Sequence, residues 1–465
     1  MTPATPLDKA TGALLVLTTA VMVLVEWGAA AIARPALPAL VILVTALLTV
    51  QVRPGRSAFV AVAVAMTVAL AVRDPGWESV ALRGLHTAAF IGAFFTALAT
   101  LRSAAEPAPA IRRAGRFLAQ QPPGRRYLAL TVGGQMFALV LNYGAIALLG
   151  SLATASAAEE ADPEIRRHRT RRMLLAIQRA FTSTLPWSPL SFAVAISTAL
   201  IPGASWGGAL IPGLVTSVLM AGTGWALDSI FKPRLSGPRP PAVRPEGGWD
   251  RMAPLAILLA ILVGSIVTLH LATGIRVVGL VILIVPLMAA GWLVLQTRGA
   301  HAGPGFRKRL ADYVFVELPG FRGEIVLLMM AGYIGTVGAP LLQPLMTAAG
   351  VDLSAVPPWM LLVSFVWIIP LAGQLGMNPI LAVTLAAPLI PSAAALGVAP
   401  TAIIVAITAG WALSGVTSPF TATTLLIGSF GKVSARHVGL RWNGGYFLVA
   451  AIILSAWVLV YAQLG

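Results

Sequence analysis

Four short stretches put polar, chain-turning residues inside otherwise apolar sequence, and they form two pairs. GGQMFALVLNYG, Gly133 to Gly144, ends on Asn142 and Gly144, while GQLGMNPI, Gly373 to Ile380, carries Gly376, Asn378 and Pro379. Pro186-Trp187-Ser188-Pro189, with Thr184 before it and Ser191 after it, matches Val416-Thr417-Ser418-Pro419 followed by Thr421. Partners lie about 230 to 240 residues apart. Glycine permits dihedrals that other residues avoid, a proline such as Pro379 suits the first turn of a returning helix, and an interior proline removes a helix hydrogen bond and frees a carbonyl. The chemistry open to such residues is binding. Helix amino termini offer partial positive charge to an anion, and freed carbonyls with Ser and Thr hydroxyls coordinate a cation. The candidate residues are Asn142, Gly144, Thr184, Ser188, Pro189 and Ser191 in one set, and Gly376, Asn378, Pro379, Thr417, Ser418, Pro419 and Thr421 in the other. None is a catalytic candidate.

The elements that position them belong to a membrane. The 465 residues are 58% hydrophobic and 10% charged, with mean hydropathy +0.86, where a soluble domain carries about a quarter charged residues. Apolar runs of bilayer-spanning length, ~17 to 25 residues, recur throughout, so an all-α polytopic integral membrane domain is expected. Non-helical backbone at membrane depth must be buried or line a wet cavity, because an unsatisfied peptide group there costs several kcal/mol. The first apolar run lacks a basic leader and a small-residue cleavage site, and reads as a retained span. The chain has no cysteine, which excludes disulfides, thiolate metal sites and cysteine nucleophiles.

Hydropathy places about 11 transmembrane helices, near 11–32, 36–52, 57–72, 85–101, 173–200, 207–230, 252–273, 277–297, 323–347, 401–428 and 443–463. Loops 102–126 and 159–172 carry six and five arginines and flank one apolar segment, 127–158. If both loops are cytoplasmic, as the positive-inside bias asks, that segment enters and returns on one side as a re-entrant hairpin. On this topology 27 of the 32 Lys and Arg residues lie inside, four lie outside, and Arg179 falls within a span. The basic excess of +16 is therefore a topology signal and not a nucleic-acid one. A second hairpin, 359–396, opens to the opposite side, because loops 348–358 and 397–400 contain no Lys or Arg. The alternative is that one hairpin is two short spans.

The expected organisation is an extra N-terminal span over 1–35 and a first inverted repeat over 36–230, with hairpin 127–158 and broken helix 173–200. A basic cytoplasmic linker, 231–251, leads to a second repeat over 252–465, with hairpin 359–396 and broken helix 401–428. The N-terminus is then cytoplasmic and the C-terminus external, in the cytoplasmic (inner) membrane. Two hairpins and two broken helices meeting near the midplane are the architecture that inverted-repeat transporters use for substrate and coupling ions.

At these residues the chain resembles the ion transporter superfamily, which includes divalent anion/sodium symporters of dicarboxylate and citrate type and related anion permeases. The resemblance lies in the order of spans and hairpins over nearly the whole chain. In the symporter branch each hairpin tip carries Ser-Asn-Thr. Here Asn142 stands in Leu-Asn-Tyr and Asn378 in Met-Asn-Pro, so only the asparagine carries over. The resemblance implies one half-site of Asn142, Thr184, Ser188 and Ser191 and another of Asn378, Thr417, Ser418 and Thr421. It also implies sodium ions near Asn142/Ser188 and Asn378/Ser418, a homodimer, and an elevator-type movement of the hairpin domain.

The function expected is secondary active transport of a small anion, a di- or tricarboxylate, driven by a sodium or proton gradient. Its partners are that anion and membrane lipid, with no nucleic acid and no cofactor beyond sodium. A membrane-embedded transferase needs convergent acids or metal ligands, and no HExxH, Asp-rich pair or Gly-Lys-Ser/Thr loop is present. A cation/proton antiporter on the same scaffold normally needs a buried carboxylate, and neither half-site contains Asp or Glu. Glu26 is either a functional intramembrane acid or part of an interfacial pair, and His86 and His270 read as structural. Asp228 reads as a solvated helix end, Gln135 as a hairpin-lining or interhelical hydrogen-bonding group, and Arg179 as a residue facing headgroups.

Overall fold

The computed structural model describes residues 4–233, 247–297 and 305–464, which are helical and contain no strand. The first-half helices are α1 Pro6–Leu24, α2 Ala36–Gln51, α3 Pro54–Arg73, α4 Trp77–Ala105, α5 Pro109–Ala119, α6 Pro123–Leu141, α7 Tyr143–Ala158, α8 Pro163–Thr184, α9 Phe192–Leu200 and α10 Trp206–Ile230. The second half contributes α11 Ala253–Thr273, α12 Val277–Thr297, α13 Phe306–Asp312, α14 Arg322–Ala348, α15 Pro358–Gln374, α16 Pro379–Ala386, α17 Pro400–Thr417, α18 Ala422–Gly431 and α19 Gly444–Leu464. Many open on proline, including Pro6, Pro54, Pro123, Pro163 and Pro400, because the missing amide donor is one the first turn leaves unpaired anyway. Thr5 and Asp8 add a reciprocal capping box to α1.

Among the described residues nine helices are long and apolar enough to cross a membrane. Two of the 11 expected spans fall short of that measure: α2 has 16 residues, and 173–200 is divided between α8 and α9. The order of three long helices, a helical hairpin, an interrupted helix and a final long helix occurs twice, in α2–α10 and in α11–α19. The basic linker expected at 231–251 falls mostly on 234–246, outside the described residues.

The chain forms two compact units. One comprises the chain up to Ala104, Leu262–Ala355 and Ile380–Pro391. In it α3 lies along α14 and α1 along α2. The hydroxyls of Thr67 and Tyr333 meet at 2.7 Å, and the Gln51 amide donates to Thr11 Oγ1. Glu26, in the π-helical turn that kinks the end of α1, receives both oxygens' worth of hydrogen bonding from Arg276, at 2.7 and 2.9 Å. It is a paired acid. His270 Nδ1 lies 2.8 Å from the Ile275 carbonyl, a local role for that ring.

The other unit comprises Ala105–Ile261, Val356–Pro379 and Ser392–Gly465, and it holds every candidate site residue. Its core is α17 against α15, with α6 and α7 packed on α8. Glycines set the closest approaches: Gly410 of α17 admits the Phe365 carbonyl of α15, and Gly134 of α6 admits the Ala180 methyl of α8. α5 is amphipathic, burying Ile111, Phe117 and Leu118 and exposing Arg112, Arg113 and Arg116. Asp228 is not a free solvated end, since Arg172 holds both its oxygens at 2.8 and 2.6 Å.

Candidate functional site

The first hairpin bends on one residue. Asn142 separates α6 from α7 with φ 50° and ψ −132°, a left-handed φ that asparagine tolerates better than most residues. Its own backbone carries the turn, accepting from Ala145 N and donating to Ala138 O, each at 2.9 Å. The half-buried carboxamide caps neither helix. Next to it Tyr143 stacks on Phe181 of α8 with ring centroids 5.0 Å apart, Gly144 is buried in the first turn of α7, and Gln135 donates to Ser183 Oγ at 3.0 Å. The hairpin is thus pinned to α8.

The first interrupted helix closes largely on itself. α8 ends at Thr184, whose carbonyl accepts from Trp187 N and Ser188 N and whose hydroxyl donates to Phe181 O. Ser188 Oγ accepts from Leu190 N. Ser191 donates to Leu185 O at 2.8 Å and accepts from Val194 N, which caps α9. Pro189 is buried between them. Gly213 of α10 presses on the Pro186 carbonyl so closely that a Cβ would overlap it, and Trp206 Nε1 donates to Trp187 O.

The second elbow is built differently. After α15 the chain turns through exposed Leu375, Gly376 and Met377, with Gly376 at φ 89°, then passes half-buried Asn378 into buried Pro379. Ser418 ties this hairpin to the second interrupted helix by donating to Gly373 O at 2.6 Å. Its Oγ also accepts from Phe420 N. Thr421 donates to Ser418 O at 2.9 Å, and Thr424 donates to the same carbonyl. Thr417 bonds back to Leu413 O within α17, and Pro419 is half-buried. The two interruptions touch, because Gly415 admits the Thr182 methyl of α8.

Residues that the sequence reading passed over or misplaced hold this second break together. Gln178 Nε2 donates to the carbonyls of Gly415 and Val416 at 3.3 and 3.4 Å. Asn443 Nδ2 donates to Val416 O and Gln178 Oε1 at 3.3 and 2.9 Å, and Thr423 donates to Gly415 O. Arg179 does not face headgroups. It is 5% exposed, donating to Asn443 Oδ1 at 3.1 Å and Tyr127 Oη at 3.0 Å, with its guanidinium carbon 4.2 Å over the Tyr446 ring. Spacing alone made it the next residue of a basic stretch; the signal to weigh was an ionisable residue inside a span. Among the described residues, two donors beside the breaks are buried without a partner, Trp187 Nε1 and Ser414 Oγ. No group of acidic or histidine residues able to hold a metal is formed among them.

A cavity of about 350 Å³ lies elsewhere in this unit, lined by Pro107, Pro109, Arg112, Arg113 and Arg116. None of the half-site residues borders it.

No family model and no curated protein matches the sequence. Solved structures do share the fold. The YdaH transporter of Alcanivorax borkumensis, described as having an unusual topology, is similar with TM-score 0.60 and 16% identity over 87% of this chain and 98% of its own. MtrF of Neisseria gonorrhoeae, described with a class of antimetabolite efflux pumps, is similar with TM-score 0.53 and 15% identity over 87% of this chain and 94% of its own. The chain therefore has the fold of a membrane transporter, and neither likeness singles out a divalent anion/sodium symporter.

Proposed function

We propose that the protein is a secondary transporter of a small organic anion with carboxylate groups, a di- or tricarboxylate, held between the two interrupted helices. One observation carries this reading: the breaks combine leftover buried donors, Trp187 Nε1 and Ser414 Oγ, with half-sites that contain no Asp or Glu. Surplus donors suit an acceptor-rich anion, and a site without carboxylates does not repel one. The amino-terminal ends of α7, α9 and α18 add oriented backbone amides. The likeness to MtrF, described with antimetabolite efflux pumps, brings export of such a molecule within the same proposal. An elevator-type movement and a homodimer in the cytoplasmic membrane, N-terminus inside, belong to the proposal too. The movement is supported by all half-site residues sharing one compact unit, and the orientation by the arginine-rich loops.

The test is a thermal-shift screen of detergent-purified protein against di- and tricarboxylates and inorganic oxyanions, since a ligand that binds only the folded state raises its apparent stability. A carboxylate that raises Tm and is then transported by proteoliposomes is the expected result. A protein stabilised only by cations or pH, with no anion effective, is instead a cation/proton antiporter.

A further inference from the structure

The last four carbonyls of a helix have no partner within it, and they carry the negative end of the helix dipole. α17 ends inside a segment buried at every position from Ala402 to Thr417, so water does not answer for them. Three of the four nevertheless accept hydrogen bonds. Ser414 O accepts from Ser418 N at 2.9 Å. Gly415 O accepts from Thr423 and Gln178, and Val416 O from Gln178 and Asn443. Thr417 O is covered by Gly439, where a Cβ would overlap it.

Behind these amides stands a full positive charge. Arg179 is buried and, among the described residues, has no carboxylate within ion-pair distance. It is solvated by what it does touch: the Asn443 carboxamide oxygen, the Tyr127 hydroxyl and the Tyr446 ring face. Asn443 links the guanidinium to Val416 O, because its oxygen accepts from Arg179 while its nitrogen donates to that carbonyl. Through Asn443 the guanidinium is thus coupled to the negative end of α17.

In inverted-repeat transporters, unwound carbonyls and half-helix carboxyl ends are where a coupling cation binds. We propose that Arg179 is the resident cation of the second half-site: the charge an ion would bring to the end of α17 is built into the chain. A coupling ion is then left only the first half-site, around Asn142 and Ser188. This inference rests on the transport reading for its meaning, but its test measures stability with no anion present, so the two fail separately.

The test compares Tm of the full-length purified protein in sodium, guanidinium and choline chlorides at equal ionic strength and low salt. Arg179→Ala is expected to lose roughly 5 °C or more, and to regain part of it specifically in sodium or in dilute guanidinium. That gain exceeds any response of the wild type. An Ala variant that responds to the three salts as the wild type does overturns the proposal, since a side chain that merely fills space leaves no cation preference behind. If the Ala variant fails to fold, the pair Arg179→Lys and Arg179→Met decides. Folded Lys protein with unfolded or strongly destabilised Met protein supports a required charge. A Met variant as stable as wild type removes it.

Discussion

The two interrupted helices do the same thing to the chain by opposite means. Between α8 and α9 the freed carbonyls are answered mostly from within the same dozen residues, by Trp187, Ser188 and Ser191, with Trp206 of α10 reaching only the Trp187 carbonyl. Between α17 and α18 the answers come in part from far along the chain, from Gln178 and Asn443, and Ser418 reaches across to the hairpin at Gly373. A glycine from another segment crowds a carbonyl at each, Gly213 at the first and Gly439 at the second. The first break is a local turn, whereas the second is a joint between distant segments. Damage should spread accordingly.

Five substitutions break or sharpen that contrast, in descending order of effect. Asn443→Leu removes the link between Arg179 and Val416 O and leaves both buried groups short of a partner, for a loss of about 3 kcal/mol or more. Denaturant or thermal unfolding measures it, and a loss no larger than that of Ser191→Ala would mean the second break does not depend on distant residues. Gly213→Ala and Gly439→Ala each force a methyl onto a backbone carbonyl and are expected to cost about 1–3 kcal/mol by overpacking. The contrast predicts the larger loss for Gly439, whose neighbour cannot relax as a local turn can. Ser191→Ala removes one cap and should cost ~1 kcal/mol. Asn142→Gly keeps the left-handed turn and should change stability by only a few tenths of a kcal/mol. If the carboxamide binds substrate, transport in proteoliposomes falls while Tm holds, and undiminished transport would assign Asn142 to the turn alone.

What could be read in advance follows the same division. The hairpin elbow at Asn142 and the interruption at Leu185–Pro189 announce themselves, because asparagine, glycine, proline and serine act on the backbone within a few residues. The membrane class follows from composition, and the order of the helices from hydropathy and the arginine-rich loops. The closure of the second break was not legible. Gln178 and Asn443 are 265 residues apart, and nothing in either neighbourhood marks them as partners. Arg179 was misplaced because it continues a basic run, Arg166 to Arg172, so its burial depends on Tyr127, Asn443 and Tyr446, three residues no local pattern connects.

The clamp on α17 also governs how the protein opens. A helix end held by its own neighbours frays alone, and its amide hydrogens exchange through small local openings. The last turn of α17 is fastened to α8 through Gln178 and to the segment preceding α19 through Asn443, so its hydrogens are released only when several segments part together. Amide exchange there should track global unfolding, while the turn at Trp187–Leu190 exchanges by a cheaper local route.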